Sequence, residues 1–429
     1  MKPRILLVNP PVYDFTAYDF WLKPYGLLRV AGRFRNRAEF RLFDFLDRLH
    51  PAMETPRKKR PDPFGRGPYR EETIPRPAPL AAIPRRFRRF GLPRAVFREF
   101  LRKEGPFRAA LVSTGMTYWV PGVRETLQDL QDLAPGAPVV LGGVYASLCP
   151  DHARTLGPDL VIQGDALKPL EEIVGLAPAG EDVPLWEAYP RLRTGVLRLA
   201  DGCPFRCTYC AVRLLAPAHV PRPRDLVFQE LDLLRKRGAE DVAFYDDALL
   251  AGPRDERLDF LERLASTPQT PRFHTPNALH ARLLDEERAR ALVRAGFRTF
   301  YLGFESASER WQEGSGGKVS APDLRRAAEN LLRAGADANR VTAYLLIGHP
   351  RHEAQDLEDS LRFASSLGIR VMLSEFSPVP GTPDFEAARP WADLDEPLLH
   401  NKTAFPVFRL GGDEVNRFKD LARRLNERR

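Results

Sequence analysis

The stretch GCPFRCTYC, residues 202–210, decides how the rest of this chain is read. It places cysteines at 203, 207 and 210, spaced C-x3-C-x2-C. Thiolates are soft ligands that suit zinc or iron–sulfur centres. A structural zinc site wants a fourth Cys or His, usually from a second paired motif, and none of the eight histidines offers such a pair near this loop. Three thiolates on a four-iron cluster would leave one iron without a protein ligand. An open metal position is what a catalytic site keeps. The alternatives are a zinc knot or incidental thiols.

The surroundings place this stretch in a fold. Six strand-like runs follow one another from residue 196: VLRLA (196–200), DVAFYD (241–246), RFHTP (272–276), TFYLGF (299–304), VTAYLLIG (341–348) and IRVMLSEF (369–376). Amphipathic stretches near 223–238, 254–266, 284–296, 321–335 and 353–367 separate them. Strands alternating with helices predict parallel βαβ units. Eight such units close a barrel; six predict a partial (β/α)6 barrel of the TIM type. The cysteines follow its first strand, at the carboxyl end where barrel active sites form.

Ahead of it lies a second α/β pattern. RILLV (4–8), FRLFDF (40–45), AALVS (109–113), PVVLGG (138–143) and DLVIQG (159–164) are short apolar runs, with a helix expected over 121–134. They predict a doubly wound, Rossmann-like parallel sheet, whose ligands bind at the strands' carboxyl ends. The expected division is 1–175 for this domain, 176–193 for a linker, 194–390 for the barrel and 391–429 for a helical extension. The tail GDEVNRFKDLARRLNERR reads as its last helix.

Charge is uneven. The chain of 429 residues has a net charge of +8, yet residues 51–103 hold 15 Lys/Arg against 5 Asp/Glu, with ten prolines. This basic insertion is expected to be an irregular loop in its first half and helical over RRFRRFGLPRAVFREFLRKEG. A solvated decoration is the favoured reading, because charge runs alone say little; a strip for nucleic acid is the other. No run of about 18 apolar residues offers a membrane span. MKPRILLVNPPVYDF reads as a strand rather than a signal peptide. Four cysteines, three of them within eight residues, make a poor disulfide framework and point to a reducing, cytoplasmic compartment.

The cysteine spacing, with Tyr209 before the last cysteine, resembles the signature of the radical S-adenosylmethionine (SAM) superfamily. The resemblance covers residues 196–385. It implies that Cys203, Cys207 and Cys210 hold a [4Fe–4S] cluster and that the amino and carboxylate groups of SAM chelate the fourth iron. An electron then cleaves SAM to methionine and a 5′-deoxyadenosyl radical that abstracts a substrate hydrogen. It also implies a pocket. Tyr209 would neighbour the adenine. Asp246 and Asp247 in AFYDDALL would meet the SAM ammonium, unless one only caps a helix. Glu305 in YLGFES would meet the ribose. Ile347 and Gly348 in LLIGHPRHE would line the adenine, and FSPVPGTP (376–383) matches the turn after the sixth strand. Asn277 and His280 are either pocket residues or part of a polar loop. An electron donor such as flavodoxin or ferredoxin is implied.

A doubly wound domain before such a barrel resembles the cobalamin-binding subgroup, whose members commonly transfer a methyl group. VNPP, VVLGG and DLVIQGDA carry that likeness. The D-x-H-x-x-G motif that ligates cobalt elsewhere is missing: NPPVYDFTAYDF has no histidine. If cobalamin binds, its nucleotide tail should pass Ser113, Thr114, Gly142 and Gly143. A fold retained without corrinoid, doing rearrangement or oxidation, and an RNA-modifying protein are the alternatives. Cys149 is either a buried structural thiol or a residue at the barrel mouth. One cysteine cannot hold an auxiliary cluster, and the methylthiotransferase pattern, with three further N-terminal cysteines, is absent.

Overall fold

The computed structural model describes residues 2–54 and 62–427. Its contacts divide the chain into two compact units. The first comprises 1–196 with 225–239, and the second 197–224 with 240–429.

The first unit is built on five parallel strands: β1 Arg4–Asn9, β2 Glu39–Asp44, β3 Ala109–Thr114, β4 Val139–Gly143 and β5 Leu160–Val161, in the order β5-β4-β3-β1-β2. Successive side chains of a strand face opposite ways, so one apolar run fills two cores. Leu6, Val8, Ala110, Val112 and Leu141 join one core. Ile5, Leu7, Ala109, Leu111 and Val140 join the other. That is the covered-on-both-faces sheet the continuous apolar runs predict. The order reverses between β1 and β3, which makes Asn9 and Ser113 the topological switch point where such sheets bind ligands.

The basic insertion differs from expectation. Arg88–Phe90 is a strand, not helix; with Glu71–Thr73 and Val12–Asp14 it makes a three-stranded antiparallel sheet. Helix begins only at Arg94. Pro93 explains the delay, because a proline drives the preceding residue out of the helical region. The run RKKRP (57–61) lies outside the described residues. Among those described, five arginines spend their charge at home: Arg89 on Glu125 at 2.7 Å, Arg94 on Asp129 at 2.9 Å, Arg98 on Asp129 and Asp132, Arg88 on Glu71, and Arg66 on Asp62. Within 176–193, Val183, Leu185, Trp186, Tyr189 and Leu192 are buried.

The second sheet takes its strands in chain order: β6 Thr194–Leu197, β7 Asp241–Phe244, β8 Arg272–His274, β9 Phe297–Glu305, β10 Val341–Ile347 and β11 Arg370–Glu375. A two-residue strand, Leu279–His280, pairs separately with β9. The unit boundary falls inside β6. Helices Arg254–Ser266, Glu286–Arg294, Ala321–Arg333 and Ala354–Ser366 connect the strands from β7 onward. The last helix, Gly412–Glu427, covers the exposed edge. Its Asn426 amide donates to Val371 O at 2.9 Å and accepts Val371 N–H at 3.0 Å. An edge strand paired this way is no template for another chain.

Candidate active site

After β6 the chain forms a short ladder, Ala200–Asp201 against Val220–Pro221. It closes a loop whose first arm is GCPFRCTYC. Gly202 is required at the base: its φ is 73°, and a Cβ there would lie 2.2 Å from Ala218 O. Residues 314–318, GSGGK, pack against the same loop. A Cβ on Gly316 would lie 2.7 Å from Arg206 O, and Thr208 N–H donates to Ser315 O at 3.2 Å.

Cys203 and Cys207 are half-buried and Cys210 is exposed as a residue. Burial raises the Cys203 thiol and pushes that of Cys210 up to about 11; Cys207 and Asp247 add to both shifts and Lys318 opposes them. One carboxylate, Asp247, and one ammonium, Lys318, therefore lie within electrostatic reach of the thiols. Among the described residues, no three His, Cys, Asp or Glu side chains converge tightly enough to share one metal ion. That geometry does not fit mononuclear zinc. A four-iron cluster asks for less convergence, because each thiolate takes its own iron, and three soft donors on one loop fit it.

The two aspartates at the end of β7 separate in role. Asp246 is buried and accepts the N–H groups of Leu199 and Ala200, both at 2.8 Å, which fixes the start of the cysteine loop. Its other oxygen is buried without a partner. Burial pushes this carboxyl up to about 6. Asp247 pairs with Arg198 at 2.6 Å and faces Cys203 and Cys210. Neither caps a helix, since the next one starts behind Pro253.

Glu305 ends β9 with φ at 67°, a conformation costly for any residue but glycine, at a register shift between Gly303 and Glu305. Such outliers persist where the surroundings over-determine them and cluster at functional sites. Lys318 supplies the counter-charge at 3.1 Å from Glu305 Oε1, and lies over Gly303, where a Cβ would come within 2.7 Å of its Nζ. Despite burial, Glu305 and the nearby Cys207 and Cys210 hold the Lys318 ammonium above its ordinary value. Lys318 was not legible as a site residue in the sequence.

His280 is 5% exposed, and both ring nitrogens are buried without a hydrogen-bond partner. Its ring lies 3.9 Å from that of Phe205 in the cysteine loop. Burial, then Lys318 and Arg282, push it down to about 3, so the imidazole is neutral. Asn277 is exposed and donates to Tyr245 O at 3.0 Å, tying two strand ends together. Tyr209 stacks on Trp311 at 5.9 Å and 24°. Burial, then Glu305 and Cys207, hold its hydroxyl well above the ordinary range. Ile347 is fully buried. Gly348 has φ 83°, and the space a side chain would fill is taken by Pro406, 2.6 Å from the Cβ position.

The electrostatic neighbours thus gather Cys203, Cys207, Cys210, Tyr209, Asp247, Glu305 and Lys318 at one end of the sheet. Asp246 turns to backbone instead, and the side-chain face of Gly348 turns to Pro406.

In the first unit the expected residues are differently occupied. Ser113 Oγ lies 3.0 Å from Asn9 Oδ1, and Thr114 donates to Gly142 O at 2.8 Å while accepting Ala146 N–H at 3.0 Å. Their hydroxyls are already used. Gly142 has nothing within 4 Å of a Cβ position, Gly143 has φ 103°, and Met116 and Val144 are exposed apolar residues beside them. Cys149 packs with Val120, Tyr145 and Ala153, and burial pushes its thiol up to about 11, as for a structural thiol.

The chain is similar to known proteins. Residues 197–364 match the Radical SAM superfamily. The chain is 22% identical over 278 residues to threonylcarbamoyladenosine tRNA methylthiotransferase MtaB of Thermotoga maritima, covering 61% of this chain and 64% of that protein. It is 25% identical over 197 residues to an uncharacterized methyltransferase of Pyrococcus horikoshii, covering 45% and 42%. The chain thus spans less than two thirds of the length of these curated relatives. In fold it resembles the radical S-adenosylmethionine methyltransferase TsrM of Kitasatospora setae, solved with tryptophan and a SAM analog (TM-score 0.66, 17% identity, 91% of this chain and 76% of that one). It also resembles the cobalamin-dependent S-adenosylmethionine radical enzyme OxsB, solved with aqua-cobalamin and SAM (TM-score 0.59, 12% identity, 99% and 61%). The match to the Radical SAM superfamily, over residues 197–364, takes in the strand ends and the cysteine loop described above.

Proposed function

We propose that this chain is a cytoplasmic radical SAM enzyme that holds a [4Fe–4S] cluster on Cys203, Cys207 and Cys210 and uses SAM to abstract a substrate hydrogen. The observation that carries the reading is the loop itself: three thiols without a fourth, beside a carboxylate–ammonium pair. When bound, the cluster and SAM supply one-electron cleavage of a carbon–sulfur bond. The protein's part is binding and orientation. Asp247, held by Arg198, offers a carboxylate to the ammonium of SAM. Glu305 offers one to ribose hydroxyls, and Lys318 neutralises it and presents a positive charge to a carboxylate. Tyr209, backed by Trp311, offers an aromatic face. Neutral His280 adds a hydrogen-bonding group with both nitrogens uncommitted; buried polar groups are otherwise satisfied. An electron donor such as flavodoxin or ferredoxin would supply the reductant.

Cobalamin-dependent methyl transfer is the reaction we favour, on the first unit's switch-point topology and the cobalamin bound in solved structures of both TsrM and OxsB. Ser113 and Thr114 are spent internally, so the ligand would be met by the open backbone at Gly142 and Gly143 and by apolar Met116 and Val144. Gly142→Trp tests this cleanly, since the position has room and an ordinary backbone. Growth with hydroxocobalamin should give a corrinoid spectrum that the variant lacks; a wild-type chain without that spectrum at saturating ligand would leave a corrinoid-free enzyme. For the cluster, anaerobic reconstitution should load about four irons per chain. The internal pairing of five of the basic insertion's arginines counts against an RNA-modifying role, which predicts steeply salt-dependent RNA affinity.

A further inference from the structure

One buried polar network in the second unit is not used by the roles above. Asp384 is fully buried, directly after the turn that follows β11, in the first turn of a short helix. Its Oδ2 accepts Thr208 Oγ1–H at 2.6 Å and lies 2.9 Å from His349 Nε2. Arg351 pairs with its other oxygen and donates to Thr208 Oγ1 at 3.2 Å. The proton on His349 follows from its partners. Trp311 Nε1–H and Arg351 N–H both point at His349 Nδ1, each at 3.2 Å. Those groups can only donate, so Nδ1 accepts and Nε2 carries the hydrogen that Asp384 receives. Every member is satisfied, which is the condition for a buried polar network to rigidify its surroundings.

What the network fixes is Thr208, between Cys207 and Cys210 and next to Tyr209. Its N–H donates to Ser315 O, its carbonyl accepts Asp384 N–H at 3.3 Å, and its hydroxyl goes to the Asp384 carboxylate. His349 follows Gly348 directly, and its ring meets those of both Tyr209 and Trp311 edge-on, at 6.3 and 5.3 Å.

We infer that Asp384, acting through His349 and Thr208, is a positioning residue that locks the middle of the cysteine loop to the ends of β10 and β11 and thereby sets SAM affinity without governing iron uptake. What is positioned rests on the radical SAM reading; the lock itself does not. Three thiolates on one loop can gather iron with the loop loosely held. SAM must meet groups on the loop and on β9 and β10 at once, and pre-organisation of that kind acts on affinity.

The test uses Asp384→Asn and the milder Thr208→Val, which removes only the loop's arm of the network. In the metal-free full-length chain, amide hydrogen exchange across 203–211 should quicken in both variants, while exchange of the sheet strands stays as in wild type. After reconstitution, iron content should match wild type, equilibrium SAM binding should weaken about tenfold, as for loss of a hydrogen bond to a charged group, and the change that SAM makes in the reduced cluster's electron paramagnetic resonance signal should shrink. Unchanged exchange in Thr208→Val, or quickened exchange with wild-type SAM affinity, would overturn the inference, as would iron loss parallel to SAM loss. A wild-type chain that takes up no iron would instead bring down the radical SAM reading, and the exchange data would still judge the lock.

Discussion

The strand ends of the two sheets are finished in opposite ways. In the first unit the polar side chains there satisfy one another: Ser113 with Asn9, Asn9 with Asp44 at 2.7 Å, and Thr114 with the β4 backbone. In the second unit His280 keeps two unpartnered nitrogens, Asp246 an unpartnered oxygen, and Glu305 a backbone outside the ordinary regions. Buried groups left unpaired cost about 1–3 kcal/mol each. A fold that keeps them at one site is built to be completed there by a ligand. A ligand of the first unit would have to be held by shape, apolar contact and open backbone instead.

The comparison can be broken at paired positions. Gly348→Ala in the second unit should lose about 2–5 kcal/mol, from the left-handed backbone and the collision with Pro406. Gly142→Ala in the first should stay within about 0.5 kcal/mol, since its Cβ would enter open space. Chemical denaturation of both variants checks this, and equal losses would break it. Lys318→Met should cost about 2–3 kcal/mol, below the figure for a fully buried pair, because Glu305 and Lys318 retain some exposure; Glu305→Gln in the same chain should restore part of it. His280→Phe should raise ligand-free stability by about 1 kcal/mol while weakening SAM or substrate binding, because an apolar ring relieves two unpaired nitrogens. Its counterpart Ser113→Ala should lower stability by about as much. A destabilised His280→Phe would mean that the nitrogens are not orphaned in solution.

A further effect concerns pH. Asp246 titrates at about 6 in the fold, against about 3.9 unfolded. A raised carboxyl contributes stability below its unfolded value and loses it as pH rises through its folded one. Wild type should therefore lose stability relative to Asp246→Asn between about pH 4 and pH 6, by at most about 1.4 kcal/mol per pH unit. A constant difference across that window would mean an ordinary carboxyl.

Much of this was written locally and so could be read locally. The cysteine spacing, the alternating cores of β1 and β3, and the strands ending at Asp247, Glu305 and Gly348 all announce themselves within a few residues. Strand Arg88–Phe90 did not, because its arginines and phenylalanines fit a helical period until Pro93 is weighed. Lys318 was missed for want of a motif, being a lone lysine after glycines that meets Glu305 only through the bulge in β9. Asp384 and Thr208 are 176 residues apart, and nothing in either segment names the other. The occupied hydroxyls of Ser113 and Thr114 likewise depend on the register between β3 and β4.

The central claim is that the vacancy left by three cysteines is the working site. Anaerobic reconstitution of wild type, Cys207→Ala and Cys149→Ala, with iron and 5′-deoxyadenosine measured after reduction in the presence of SAM, tests it most directly. Wild type and Cys149→Ala should carry about four irons and form 5′-deoxyadenosine, and Cys207→Ala should do neither. SAM cleavage by Cys207→Ala at the wild-type rate would contradict it.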